Sequence, residues 1–472
     1  MTHMQAFHAL GAREVGVWAI AACIALTGLA CGGDDAAPST AVVPGDDAAT
    51  DSSAAAAAPE AATDAAKPDA ASEPVSLTAY DDGAPQAGLS VVFHAADGAV
   101  LAVETTGADG KATSTAAGVA MVTVLRADQS LITIFDVEPK DALFVGSAQV
   151  LGKSAGTINV TAPTPVTNST DYAVDVATSS KIVTDITVGA QMDLKAANLL
   201  TGEGASVLAW SRDKDQVPYS YAYATGIQPG DAGVTPAILG AWSADWISLI
   251  VRLKQAPMSA ATVAASIAPV SAGLAYYDLN PWQVSAPAMQ VNMFQFGVPA
   301  LFGDLLEYTV AASYGVQGDG TDSVLVKRIK ERPTEVDVDM KSELLPGVQG
   351  VAADTATPAR PKMTWGQDAA LSAADGVLVE AQWAQSGASR RWVGLAAANH
   401  PEGLTFPKLP DALAQSGPDA SSTFGRFIVT FVEADFLEDY RALRLDYGPA
   451  VLETPLPKGP LAVRFTTGAK KP

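Results

Sequence analysis

Hydrophobic residues follow two textures along this chain. From Val15 to Ala30 they form one run of 16 residues broken only by glycine and threonine, short of the ~20 that a membrane-spanning helix needs. From Val75 onward they come as short alternating stretches bounded by Gly, Pro, Asn and Asp. That is the period-two pattern of half-buried strands. Residues 31–74 carry neither pattern.

The alternating region predicts strands at Val91–His94, Val100–Thr105, Val119–Leu125, Leu131–Phe135 and Thr157–Val160. Asp97-Gly98 and Asp109-Gly110 lie between such runs, and Asp-Gly is a strong hairpin signal because both residues tolerate positive φ. Further strands are expected at Ile182–Val188, Ser206–Ser211, Tyr219–Thr225, Ile247–Leu253, Thr262–Ile267, Gln290–Phe296, Tyr308–Tyr314, Val324–Ile329 and Glu335–Met340. A Pro- and Gly-rich stretch between Pro346 and Pro361 marks a boundary. Beyond it come a hairpin of Leu378–Gln385 and Trp392–Ala397 around Ser386-Gly387, then strands at Arg426–Val432 and Leu461–Thr466. Apolar content alone leaves buried helix open for Val100–Thr106 and Ile247–Leu253. No repeat of fixed period supports a propeller or solenoid. The expected class is all-β: two or three β-sandwich modules, divided as 75–165, 170–345 and 360–470.

Charge narrows the partners. The chain has 51 acidic against 29 basic residues, a formal charge of −22, which repels nucleic acid and anionic membrane surfaces alike. Both cysteines, Cys23 and Cys31, precede the strand-rich region. The folded body therefore holds neither an intramolecular disulfide nor a cysteine metal cluster. Between Gly32 and Pro74, nine acids face the single Lys67, five prolines recur, and aromatics are absent. Such a segment cannot offset the entropy of ordering and is expected to be a disordered, extended spacer.

The N-terminal run has the shape of an export signal, with Arg13 before it and polar low-complexity sequence after it. Its end, Thr27-Gly28-Leu29-Ala30-Cys31-Gly32-Gly33, resembles the lipobox of bacterial lipoproteins. The resemblance implies cleavage after residue 30 and a lipid (diacylglyceryl and palmitate) on Cys31. Gly28 departs from the aliphatic residue usual at its position in that family. Ile20-Ala21-Ala22-Cys23 fits that position better, but the apolar stretch before it is too short, and cleavage there leaves Ile24–Ala30 as an apolar tail. An ordinary secretory signal with an incidental cysteine, or an uncleaved anchor, are the other readings. Gly32 is not the aspartate that retains such lipoproteins at the inner membrane in some Gram-negative bacteria, so the resemblance implies the outer membrane, facing periplasm or cell surface.

Asp82-Gly83-Ala84-Pro85-Gln86-Ala87-Gly88 through Val91-Val92-Phe93, Asp97-Gly98, and Thr106-Gly107-Ala108-Asp109-Gly110-Lys111-Ala112 resemble the carboxypeptidase regulatory-like domain, a transthyretin-like sandwich. They also resemble the bacterial Ig-like repeats of invasins. The match covers ~85 residues and implies a fold; members of both families serve as spacers or platforms and are not catalytic.

Candidate chemistry is sparse. Of four histidines, His3 and His8 belong to the signal, leaving His94 in a strand and His400 in the loop Asn399-His400-Pro401-Glu402. A histidine zinc site is therefore not expected, and no metal ligands or cofactor are assigned. Gly152-Lys153-Ser154-Ala155-Gly156 has the Gly-x-Ser-x-Gly spacing of a nucleophile elbow, but a strand pattern follows where a helix is required. Ser211-Arg212-Asp213-Lys214 has Ser-x-x-Lys spacing without a Lys-Thr-Gly partner. Glu335, Asp337 and Asp339 alternate onto one strand face, which reads as solvated rather than calcium-binding. Gly318-Asp319-Gly320-Thr321-Asp322 is only a partial calcium loop. Tyr219, Tyr221 and Tyr223 share one strand face, with Trp242, Trp246, Tyr276, Tyr277 and Trp282 nearby. Exposed, such a strip can stack on sugar or peptide; the favoured reading is sandwich core and cross-strand pairs.

These observations point to a non-catalytic, lipid-anchored envelope protein that binds or scaffolds, with a glycan or protein ligand in the envelope and no nucleic acid partner. The alternative is a carboxylate-based hydrolase of envelope or extracellular polysaccharide, since paired acids suffice for glycoside hydrolysis.

Overall fold

The computed structural model describes residues 73–470 except 82, 147–156, 165, 167, 168, 170, 179, 180, 188–190, 196–203, 213–217, 231, 232, 272, 277, 278, 281, 289, 315–321, 367, 401, 402 and 452–455. Cys31, Cys23 and the 31–72 part of the spacer lie outside them. The described chain is an all-β protein of several sandwiches, with helices no longer than a turn or two. None of those helices is long and apolar enough to cross a membrane.

One sheet of 13 strands runs through most of the body. It starts with the short strands Leu274–Ala275 and Gln283–Ser285 on Thr262–Ser271, passes through Leu305–Ser313, Asp322–Ile329, Leu461–Lys470, Thr423–Ala434, Gly376–Gln385 and Ala388–Ala396, and ends with Leu131–Ile134, Met121–Leu125, Ser90–His94 and Val100–Thr105. The order is not the chain order. The C-terminal strand pairs antiparallel with Asp322–Ile329, and Leu131–Ile134 pairs parallel with Trp392–Leu395.

Three smaller sheets each back one stretch of this long sheet, and an apolar core fills each gap. Val75–Asp81, with Lys111–Ser114 and Ala142–Val145, closes over Val91, Phe93, Val122, Val124 and Ile134 through Leu77 and Leu143. Trp246–Lys254, flanked by Val291–Pro299 and Glu335–Asp339, packs Leu249, Val251, Phe294 and Phe296 against Val263, Ile267, Val310 and Leu325. Lys362–Thr364, with Ala352–Asp354 and Leu404–Thr405, places Met363 and Leu404 over Trp383, Trp392, Phe427 and Phe431. A fourth sandwich stands outside the long sheet. In it Thr157–Thr161, between Gln191–Lys195 and Val234–Ile238, faces Asp171–Thr178, Ala205–Arg212 and Pro218–Ile227 through Ile158, Val160, Val174 and Val207.

Local turn chemistry follows the sequence where the strands it joins are neighbours. Gly98 at φ +85° closes the hairpin of Ser90–His94 with Val100–Thr105. Ser386 and Gly387, both at positive φ, close the hairpin of Gly376–Gln385 with Ala388–Ala396, as a two-residue turn of matching twist requires. Asp109-Gly110 also turns the chain, but Val100–Thr105 lies in the long sheet and Lys111–Ser114 pairs with Val75–Thr78 in the backing sheet. It is a crossing between layers, because Ala112 turns inward against the core while Val100–Thr105 stays at the rim. Val100–Thr105 and Trp246–Lys254 are strands, not buried helix.

The strand expected to run to Met340 stops at Asp339 instead. The Asp339 carboxylate accepts the Lys341 N–H at 3.1 Å and caps a helical turn, Met340–Glu343. A side-chain acceptor at that position offers the backbone an alternative to the ladder.

Candidate functional site

The joints between sandwiches hold most of the buried polar and aromatic side chains that the sequence singles out. At the joint of the first and last sandwiches, Trp392 Nε1 donates to Thr133 Oγ1 at 2.8 Å. Thr133 and Thr123 share a hydroxyl hydrogen bond of 2.8 Å, and Thr123 Oγ1 lies 3.1 Å from His94 Nε2. All four side chains are buried. Burial, with the Arg360 charge nearby, lowers the His94 pKa to about 4, so the ring is neutral at pH 7. Arg360 Nη2 donates to the Asp97 carbonyl, tying the hairpin tip to the small sheet opposite.

A charged cluster closes the rim of the same joint. His400 Nε2 lies 2.8 Å from Asp136 Oδ2, which also accepts the Ala397 N–H at 3.1 Å. Asp136 itself sits at φ +53°, and Arg444 Nη1 donates to its carbonyl. Burial alone raises the Asp136 carboxyl. The hydrogen bond and charge of His400, the Ala397 N–H and the Arg444 charge outweigh it and hold the group below the usual carboxylate range. Behind it the Arg444 guanidinium, 2% exposed, meets Asp141, 1% exposed, at 2.9 Å. Glu138 and Arg441 extend the cluster outward at 3.3 to 3.8 Å. The Tyr440 hydroxyl reaches the carbonyls of Phe135 and Leu395 at 2.8 and 3.0 Å, one from each sandwich. Burial and the Asp136 charge push its phenol well above its ordinary pKa, so it remains a donor.

His400 and Asp136 have the base and orienting acid of a proton relay. Asp136, however, is shared with a backbone N–H and faces a guanidinium, an arrangement that clamps two sandwiches together. Asp136, Asp141, Tyr440 and Arg444 went unnoticed in the sequence. Each is an ordinary residue of a polar loop or turn until residues more than 300 positions apart meet, as Asp136 and Arg444 do.

Part of the aromatic strip forms a seam between the fourth sandwich and the one closed by Trp246–Lys254, with Tyr221 and Tyr276 buried and Tyr223 and Trp246 half-buried. Trp282 packs in another core, and the Tyr219 side chain lies outside the described set. Tyr221 is fully buried, T-shaped against Trp246 at 5.0 Å and stacked near Tyr223 at 6.3 Å. Phe302 bridges Tyr223 and Tyr276 at 5.6 and 5.0 Å. The Tyr221 hydroxyl accepts the Leu301 N–H at 3.2 Å, and Tyr276 donates to the Ser206 carbonyl at 3.1 Å. Trp242 packs on Tyr172 and donates to the carbonyl of Thr164 at 3.0 Å. Tyr221 is thus unavailable as a stacking platform; Tyr277 lies outside the described residues.

The remaining nominated residues fall apart spatially. Glu335, Asp337 and Asp339 do share an outward strand face. There Glu335 pairs with Arg252 at 2.6 Å, Asp337 with Lys254 at 2.7 Å, and Asp339 accepts from Gln255 at 3.2 Å. Among the described residues no group of three or more His, Cys, Asp or Glu is placed to hold a metal ion. Ser211 is buried against Ser220 Oγ at 2.7 Å, while Lys214, residues 152–156 and residues 318–321 lie outside the described set.

No known protein family matches the chain, and no curated protein matches it. Among solved structures, a leucine-rich repeat protein from Bacteroides thetaiotaomicron is similar over 39% of this chain at 9% identity, with a TM-score of 0.16. The chain spans only 26% of that protein's length. A candidate adhesin from Bacteroides ovatus is similar over 37% of this chain and 78% of its own, at 10% identity and a TM-score of 0.14. A shaft pilin from Lactobacillus rhamnosus GG is similar over 56% of this chain and 96% of its own, at 12% identity and a TM-score of 0.11. TM-scores this low bring no shared overall arrangement.

Proposed function

We propose that this chain is a lipid-anchored protein of the Gram-negative envelope, tethered to the outer membrane through Cys31 and acting by binding or scaffolding rather than catalysis. The observation that carries the scaffold is the long sheet, which welds three sandwiches into one body through strand pairing rather than through flexible linkers. The polar residues that most resemble catalytic groups support it as well. His94 is buried and neutral, and His400 is held by Asp136 at a joint. The acidic, proline-rich sequence before residue 74, expected to be an extended spacer, suits such a tether.

Protease treatment of intact cells, with a Cys31→Ser variant alongside, tests the reading. A surface lipoprotein is removed by external protease, and the variant is released into the medium. Protection until the outer membrane is opened places the body in the periplasm, with envelope ligands to screen. Unchanged fractionation and mobility of the Cys31→Ser chain overturns the anchor.

A further inference from the structure

The two ends of the long sheet are finished differently. One end is blunted by strands of two and three residues, Leu274–Ala275 and Gln283–Ser285. The other end is Val100–Thr105, which pairs only with Ser90–His94 among the described residues. Its side chains are largely exposed, including Val100 and Leu101 at 38% and Val103 at 48%. The outer strands of the Trp246–Lys254 sheet show how this molecule protects an edge. Glu335–Asp339 carries three carboxylates, and Val291–Pro299 has its Gly297 and Gln295 carbonyls capped by Asn280 and Gln283 amides at 2.9 and 2.7 Å. Val100–Thr105 has neither device: its sequence VLAVET holds no proline and one charge, Glu104. An edge of this kind presents a row of unpaired N–H and C=O groups that another strand can complete.

We infer that Val100–Thr105 is a self-association edge, where a second copy of this chain adds its own Val100–Thr105 antiparallel about a two-fold axis. A two-fold perpendicular to a sheet pairs residues of the same face, so its centre falls on a residue. Centring on Val103 sets Val103 against its own copy, Ala102 against Glu104 and Leu101 against Thr105, with no like charges opposed. Val103 lies opposite the buried Val92 across the existing ladder, and Thr123 follows on the far side of Val92, so the paired valines add one apolar contact to the Val103–Val92 pair. The existing ladder skips Leu101, with Ala102 opposite Phe93 and Val100 opposite His94, so this bulge bounds the new ladder at Leu101 and, by the two-fold, at Thr105. The contact repeats a device the chain already uses twice, strand pairing across sandwich boundaries.

Sedimentation equilibrium of the full chain in detergent micelles tests the edge, with Val103→Lys and Val103→Glu variants. The wild type is expected to dimerise, and each variant alone to sediment as a monomer with unchanged circular dichroism and melting temperature. Mixing the two variants is expected to restore the dimer, because opposite charges then meet across the axis. A monomeric wild type at ~100 μM, far weaker than stable interfaces, overturns the proposal. So does a Val103→Lys dimer as tight as the wild type, or a mixture that stays monomeric while each variant remains folded.

Discussion

The indole N–H of Trp392 donates to the Thr133 hydroxyl at 2.8 Å across 259 positions of sequence. Both side chains are buried, and the strands that carry them pair in parallel. A non-local ladder holds its register when cross-strand pairs specify it, and this one does so with a polar pair inside an apolar joint. Trp392→Phe keeps an aromatic ring, though a smaller one, and leaves the Thr133 hydroxyl one partner short. It is expected to lower the unfolding free energy by ~1–3 kcal/mol, read by guanidinium denaturation, and to speed proteolytic separation of residues before 146 from the rest. Unchanged stability and proteolysis together exclude a role for this bond in the joint.

His94 makes that joint sensitive to acid. Its folded pKa is lowered from 6.5 to about 4, so between those values the unfolded chain takes up a proton that the folded chain refuses. Stability is therefore constant above pH ~6.5 and falls as the pH drops toward 4, by about 3 kcal/mol at the lower limit. Asp136, whose pKa is also depressed, adds a further loss as the pH falls through its folded value. A His94→Gln chain is expected to be less stable at pH 7 yet to lose the slope between pH 6.5 and 4. A slope that persists in the variant assigns it to other groups.

Arg444 and Asp141 are both nearly fully buried and 2.9 Å apart. Removing one partner leaves an uncompensated charge, so Arg444→Met or Asp141→Leu alone is expected to cost ~3–5 kcal/mol. The double variant is expected to cost much less than the sum, because no buried charge is left. Additive losses in this double-mutant cycle reject coupling between the two.

Tyr221→Ala discriminates seam from binding platform. With its ring enclosed by Trp246 and Tyr223, truncation opens a cavity and leaves the Leu301 N–H without its acceptor. A destabilisation of ~3 kcal/mol or more is expected. If melting is unchanged while retention on a glycan column is lost, the seam assignment is wrong.

How much of this was legible in the chain depends on the range of the interaction. Short apolar runs located Ser206–Ser211 within Ala205–Arg212 and Val324–Ile329 within Asp322–Ile329, and Ala205–Ser211 is apolar along its length because both of its faces are buried. The turns at Asp97-Gly98 and Ser386-Gly387 were equally plain, since positive φ is a property of the residues themselves. The favoured reading of Tyr221 as core also held, but its neighbours Trp246 and Phe302 come from a different sandwich. Asp171–Thr178 was missed although Tyr172, Val174 and Val176 alternate onto its core face, whereas no local pattern assigns Leu131–Ile134 to a partner in the last third of the chain.

The sequence by itself determined an all-β body, the positions of most of its strands and the two-residue turns between adjacent ones. These follow from side-chain period and backbone sterics, which act over a few residues. Tertiary structure alone decided that the sandwiches share one sheet, that Asp109-Gly110 crosses between layers, and that His94, His400 and Tyr221 sit at joints. Those outcomes depend on which distant surfaces exclude water from one another, a quantity that no window of the chain contains.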